Sequence, residues 1–250
     1  MERPLCSLLL IVNKEPVYRA FLESLQTQKG VSYEVIPIWN QNGEFPGARQ
    51  AFTYGLKSAK GEYLVFCHPD LEFTEEDALA NILQYTEKLG DFGVVGVAGT
   101  PEKLNNGDRV ILSNIVHGAE KKAAGQKIQK PMPVQTVDEC LFIVKAETLK
   151  ETPFSQREGW HLYAVEYCLQ MLLAGKQNYV IPTELWHLSD GKSLDWHYME
   201  QLEDVIRNYG NAFSIINTTV KKWPTQGLKN KAYRRYYLGK QWLKRKLLQR

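Results

Sequence analysis

Apolar and polar positions along the first hundred residues alternate between two periods. Leu8–Val12 is a short, continuously apolar run and predicts a first strand. Glu15–Gln28 follows with Val17, Phe21, Leu22 and Leu25 at helical spacing. Tyr33–Trp39 is rich in β-formers. Gly47–Ala59 reads as a helix, with Ala48, Ala51, Phe52 and Leu56 on one face. Tyr63–Cys67 is apolar throughout, as expected of a strand buried on both faces of a sheet. Thr74-Glu75-Glu76-Asp77 predicts a helix start with acids in its first turn, running to about Leu89. Gly93–Ala98 predicts another buried strand. Strands and helices alternating at this spacing imply βαβ units, hence an α/β sheet with helices on both faces.

Beyond Gly99 the pattern loosens. Residues 100–135 are polar and rich in Gly, Lys and Asn, predicting a loop or irregular hairpin over one end of the sheet. Val137–Lys145 is strand-like again, and Tyr163–Ala174 is helical up to a stop at Gly175. Asn178–Pro182 predicts a last short strand and Leu194–Tyr209 a helix ended by Gly210. The 250 residues fit one large domain or two small ones, at roughly 100–200 residues per domain. We place the sheet domain at 1–218 and a basic, aromatic, helical tail at 219–250.

Charge changes the picture at the tail. The formal net charge is +3, yet residues 205–250 hold 12 basic and no acidic residues. The first 204 residues carry the other 19 basic and all 28 acidic ones, a net of −9. A basic tail on an acidic body points to a polyanionic partner. As a helix, Ala232, Tyr236, Leu243 and Leu247 share a face among many cations, which suits an anionic membrane surface. Docking on the body and contact with nucleic acid are the other two readings; the acidic body argues against nucleic acid.

With hydrophobic residues at 44%, the chain can bury a substantial core. No apolar run approaches the roughly 18 residues of a membrane span, and Leu5–Val12 lacks the cleavage site of a signal peptide. Cys6, Cys67, Cys140 and Cys168 are scattered through apolar segments with no C-x-x-C pair. Buried, reduced thiols are expected, as in the cytosol. Asn217-Thr218-Thr219 is read as a chance sequon. Gly93–Gly99 is not a dinucleotide fingerprint, and Gly191-Lys192-Ser193 lacks the upstream glycine of a P-loop.

Candidate chemistry is sought beyond the carboxyl ends of the strands, where open α/β sheets bind ligands. Three polar clusters sit there: Asn13-Lys14-Glu15, Trp39-Asn40-Gln41-Asn42-Gly43 and His68-Pro69-Asp70-Leu71-Glu72. A carboxylate two residues after an imidazole at the end of a central strand can ligate a divalent cation. Equally, Asp70 can cap the turn while His68 packs.

The run Phe45-Pro46-Gly47-Ala48-Arg49-Gln50-Ala51, then Gly55, then Ser58-Ala59-Lys60-Gly61-Glu62-Tyr63 leading to His68-Pro69-Asp70, resembles family 2 glycosyltransferases of GT-A fold. His68 replaces the first acid of that family's D-x-D, a variant similar to the StrF-type subgroup. Val137-Asp138-Glu139, Gly159-Trp160-His161-Leu162-Tyr163, Glu166-Tyr167-Cys168-Leu169, Gly175 and Trp186-His187-Leu188-Ser189 follow the same subgroup's order, so the resemblance spans about residues 5–200. It implies a GT-A, Rossmann-like mixed sheet, mostly parallel, and a nucleoside-diphosphate sugar as donor. Asn13, Trp39 and Arg49 would then lie near the nucleotide. Asp70, with His68 and His187, would hold Mn²⁺ or Mg²⁺.

The resemblance also exposes a departure. The acceptor's proton is usually taken by a carboxylate from an E-D pair at the start of the late helix. Tyr163 and Ala164 occupy that place here. Glu166 or Asp138 is the favoured substitute, with Glu139 and His161 nearby. The implied activity is metal-assisted, inverting transfer to a carbohydrate or lipid-linked glycan acceptor. A catalytically inactive nucleotide-sugar-binding scaffold is the alternative. The expected location is cytoplasmic, with peripheral attachment to the inner membrane face through 221–250.

Overall fold

A computed structural model describes residues 4–189 and 194–248, so Gly191-Lys192-Ser193 and the last two residues of the tail lie outside the described residues. The chain opens with β1 (Cys6–Val12), α1 (Glu15–Gln26), β2 (Tyr33–Trp39), α2 (Ala48–Gly55) and β3 (Tyr63–Cys67). β4 (Leu71–Phe73), α3 (Ala78–Lys88), β5 (Val95–Gly96) and β6 (Ala98–Thr100) follow. The stretch expected to be a loop holds β7 (Leu112–Ser113), β8 (Val116–His117), β9 (Lys122–Ala123) and β10 (Met132–Val134). Then come β11 (Thr136–Val137), β12 (Leu141–Lys145), α4 (Ala146–Glu151), α5 (Tyr163–Leu173), β13 (Asn178–Val180) and β14 (Leu185–His187). The chain closes with α6 (Trp196–Tyr209), β15 (Ile215–Asn217), β16 (Lys222–Pro224) and α7 (Leu228–Leu248).

Seven strands form the main sheet in the order β10-β13-β5-β12-β3-β1-β2. β1 is parallel to both β2 and β3, and β13 is parallel to β5. β12 runs antiparallel between β3 and β5, and β10 antiparallel to β13, so the sheet is mixed, with five of its seven strands running in one direction. Strand alternation divides the core. Cys6, Leu8, Leu10 and Val12 of β1 face one side, with Phe21 and Leu25 of α1 and Leu79, Ile82 and Leu83 of α3. Leu9 faces the other, with Phe52 of α2 and Tyr163, Tyr167 and Met171 of α5. The expected sheet with helices on both faces therefore holds.

Two expected strands are broken, for one reason. The 93–98 run leaves the main sheet after Gly96, and β6 pairs instead with β11 and β7. The 137–145 run likewise splits into β11 and β12 at Asp138-Glu139-Cys140. Apolar continuity in sequence does not reveal where a strand changes partners.

The boundary drawn at 218/219 falls inside a packed unit. Trp223 is fully buried among Leu202, Val205 and Ile206 of α6, with Tyr233, Tyr237 and Leu238 of α7 against it. Arg234 donates to Glu203 (2.9 Å) and to the Pro224 carbonyl (2.6 Å), fastening α7 to the body.

Candidate active site

The strand order reverses between β1 and β3, which opens a crevice at their carboxyl ends. Asn13 follows β1 and accepts a hydrogen bond from Asn40 (3.1 Å). Trp39, at the end of β2, is 42% exposed and lies edge-on to Tyr18. His68 and Asp70 follow β3. A second, four-stranded sheet, β4-β14-β8-β9, brings the distant histidines to them. The β4–β14 register pairs Leu71 with His187, and Leu188 donates its N–H to the Asp70 carbonyl (2.9 Å). The β14–β8 register pairs His187 with His117.

This pairing converges two imidazoles and one carboxylate. Asp70 Oδ1 is 3.3 Å from His187 Nε2 and 3.8 Å from His68 Nδ1. The ligand atoms of His68, Asp70 and His187 all lie within 4.8 Å of one another. Burial works against the charge on Asp70, but the hydrogen bond and charge of His187, with His68, hold its carboxyl below the usual range. Burial pushes the His68 imidazole down despite Asp70, which favours an unprotonated ring nitrogen. A carboxylate beside two imidazoles is a donor set that can hold a divalent cation. His187 is steadied by Ser189 Oγ (3.1 Å) and His117 Nδ1 (3.3 Å), and His68 by the Tyr163 hydroxyl (3.3 Å).

The turn between β11 and β12 supplies adjacent carboxyls in contrasting environments. Asp138 accepts from the Thr219 hydroxyl (2.5 Å) and from the Cys140 N–H (3.0 Å). Against the effect of burial, these bonds keep it ionised below the usual carboxylate range. Glu139 accepts from the Tyr163 N–H (2.7 Å) at the start of α5. Burial and the neighbouring charge of Asp138 raise its carboxyl to about 8, outweighing Arg49 and the helix-start amides. A carboxyl thus does reach the start of the late helix, delivered by Glu139 from another segment.

The other sequence candidates lie elsewhere. Arg49 is 3% exposed and Glu166 1%, and they pair with each other at 2.5 Å. Arg157 pairs with Glu166 from its other side (3.1 Å), and Arg49 also donates to the Leu162 carbonyl (3.2 Å). Both arginines and Glu166 therefore tie α2 and the 155–162 loop to α5. The structure does not offer Arg49 to a nucleotide or Glu166 to an acceptor. Leu162, held in the left-handed region (φ 59), sits in this knot. Gly47 and Gly159 meet backbone to backbone there. A Cβ on Gly47 would fall 2.3 Å from the Gly159 nitrogen, which is why the two glycine motifs need one another. His161 pairs with Asp195 (3.4 Å) and packs on Tyr198, apart from the carboxyl pair.

His68, His187, Asp138 and Glu139 line one cavity of about 1150 Å³, with His117 and Thr219 also on its wall. Sequence reasoning missed His117, which lies in the stretch read as a loop, and Thr219, which belonged to the discounted sequon.

The glycosyltransferase-like family model matches residues 7–209, most of the chain. The chain belongs to that family. The likeness extends to a solved structure, mannosyltransferase PcManGT from Pyrobaculum calidifontis in complex with GDP-Man and Mn²⁺. The TM-score is 0.57 and the identity 14%, covering 84% of this chain and 64% of that one. At that identity the match is one of fold, and the fold is GT-A. A protein from Fuscovulum blasticum named "ATP synthase subunits region ORF 6" is 31% identical over 139 residues, 53% of each chain. This glycosyltransferase-like chain thus spans about half the length of that relative. Among its described residues, no helix is long and apolar enough to cross a membrane.

Proposed function

We propose that the protein transfers a sugar from a nucleoside-diphosphate sugar to a hydroxyl of a carbohydrate or lipid-linked glycan, with inversion. One observation carries this reading: His68 and His187, whose ligand atoms lie within 4.8 Å of those of Asp70, line the same cavity of about 1150 Å³ as the Asp138–Glu139 pair. That volume exceeds the roughly 300–1,000 Å³ of an ordinary ligand pocket, leaving room for both donor and acceptor. Asp70, His68 and His187 would hold Mn²⁺, which when bound neutralises the diphosphate leaving group. Asn13 and Trp39, at the ends of β1 and β2, would face the nucleoside.

Glu139 is the base in this scheme. Its carboxyl at about 8 lies near the operating pH, where proton transfer is most effective. Asp138 stays ionised and sets that value through its charge. As the acceptor oxygen bonds to the anomeric carbon and the bond to the diphosphate breaks, the hydroxyl proton passes to a Glu139 carboxylate oxygen. The empty positions at Tyr163 and Ala164 thus do not argue for an inactive scaffold.

Calorimetry with nucleoside diphosphates, with and without Mn²⁺, tests the cation site. Asp70→Asn should weaken Mn²⁺-dependent binding about tenfold to hundredfold. Nucleotide binding indifferent to both Mn²⁺ and Asp70→Asn would refute the reading.

A further inference from the structure

The helix α7 has two unlike faces. Inward, Tyr233, Tyr237 and Leu238 pack on the Trp223 cluster, and Arg234 and Gln241 are buried. Outward, Leu228 (87% exposed), Tyr236 (64%), Leu243 (57%) and Leu247 (71%) form a stripe, with Ala232 continuing it at helical spacing. Lys229, Arg235, Lys240 and Lys246 flank the stripe, and Trp242 lies under the Lys246 ammonium (4.7 Å). From Trp242 to Leu247 every residue is exposed, so the helix end stands clear of the body.

The acidic body does not neutralise this helix. α7 carries eight cations and no acid. Among the described residues, Arg234–Glu203 is the single ion pair joining it to a carboxylate. Solvation alone would explain the charges, but not three leucines and a tryptophan presented between them. Single-stranded nucleic acid would be met mainly by stacking aromatics; a stripe dominated by leucines, with Tyr236 and Trp242 at its side and cations along its borders, matches the headgroup–acyl boundary.

We infer that the outward face of α7 docks on an anionic lipid surface, with Leu228, Tyr236, Leu243 and Leu247 entering the interface and the flanking cations binding the headgroups. This surface stands apart from the catalytic cavity and independent of the transferase reading.

Sedimentation of the full chain with vesicles tests the inference. One set is phosphatidylcholine alone; the other mixes one part phosphatidylglycerol with two parts phosphatidylcholine. The protein should sediment with the anionic vesicles and stay in solution with the neutral ones, releasing at high salt. Lys240→Glu/Lys246→Glu should weaken binding at least about twentyfold, and Leu243→Ser/Leu247→Ser roughly tenfold. All four side chains are exposed, so melting temperatures should be unchanged. Equal binding to both vesicle types, wild-type binding by the leucine variant, or tighter retention on immobilised polyuridine than on vesicles would each overturn the inference. No sugar donor enters the assay, so its outcome is separate from that of the catalytic proposal.

Discussion

Replacing Glu139 by Gln tests the proposed role of this carboxyl through two readouts that a merely structural glutamate would not link. The carboxyl is raised from 4.5 to about 8, first by burial and then by the charge of Asp138. Between those values the unfolded chain has released this proton and the folded chain still holds it. The folded state therefore binds more protons, and Glu139 makes stability fall as pH rises from about 4.5 to 8, with no further loss above. At 1.36 kcal/mol per pKa unit, the full effect is at most about 5 kcal/mol. Glu139→Gln retains an oxygen for the Tyr163 N–H and removes the titration. The variant should match the wild type at pH 4 and melt about 10 °C higher at pH 8.5, followed by thermal denaturation across that range. Its kcat should fall about 10²–10⁴-fold, and its kcat/KM should lose the limb that in the wild type reaches half its height near pH 8 and levels off above it. A Glu139→Gln enzyme with wild-type turnover and an unchanged pH limb would show that the proton goes elsewhere. A melting difference independent of pH would show that the carboxyl is not held neutral.

Asp138→Asn removes the charge that helps raise Glu139, so the activity limb should move to lower pH, read from kcat/KM profiles. Glu166→Gln should cost about 3–5 kcal/mol in urea denaturation, because it leaves Arg49 buried without its carboxylate; nucleotide-dependent Mn²⁺ binding should survive in the folded fraction. Trp223→Ala should cost about 3–5 kcal/mol by emptying the cluster that seats α7, again measured by urea denaturation.

Much of the architecture was legible in the amino-acid sequence because it rests on local patterns. β2 and β3 run from Tyr33 to Trp39 and from Tyr63 to Cys67, as their composition predicts. The helix after Tyr163 stops where Gly175 takes a positive φ of 79°. The resemblance marked the family and brought His68, Asp70 and His187 into one hypothesis, because each lies at the end of a strand whose position the motifs specify.

Chain order by itself supplied candidates for chemistry; tertiary pairing decided which of them meet. The resemblance gave Arg49 to the nucleotide and Glu166, 117 positions later, to the acceptor's proton. Only the packing of α2 against α5 shows them neutralising one another in the interior. His117 and Thr219 reach the cavity through a β8–β14 register and a turn after β15 that no local period encodes. The carboxyl at the head of α5 comes from Glu139, 24 residues upstream of Tyr163. A pattern in sequence reports how a segment folds on its own neighbours, whereas a proton acceptor is defined by charges and donors brought to it across space.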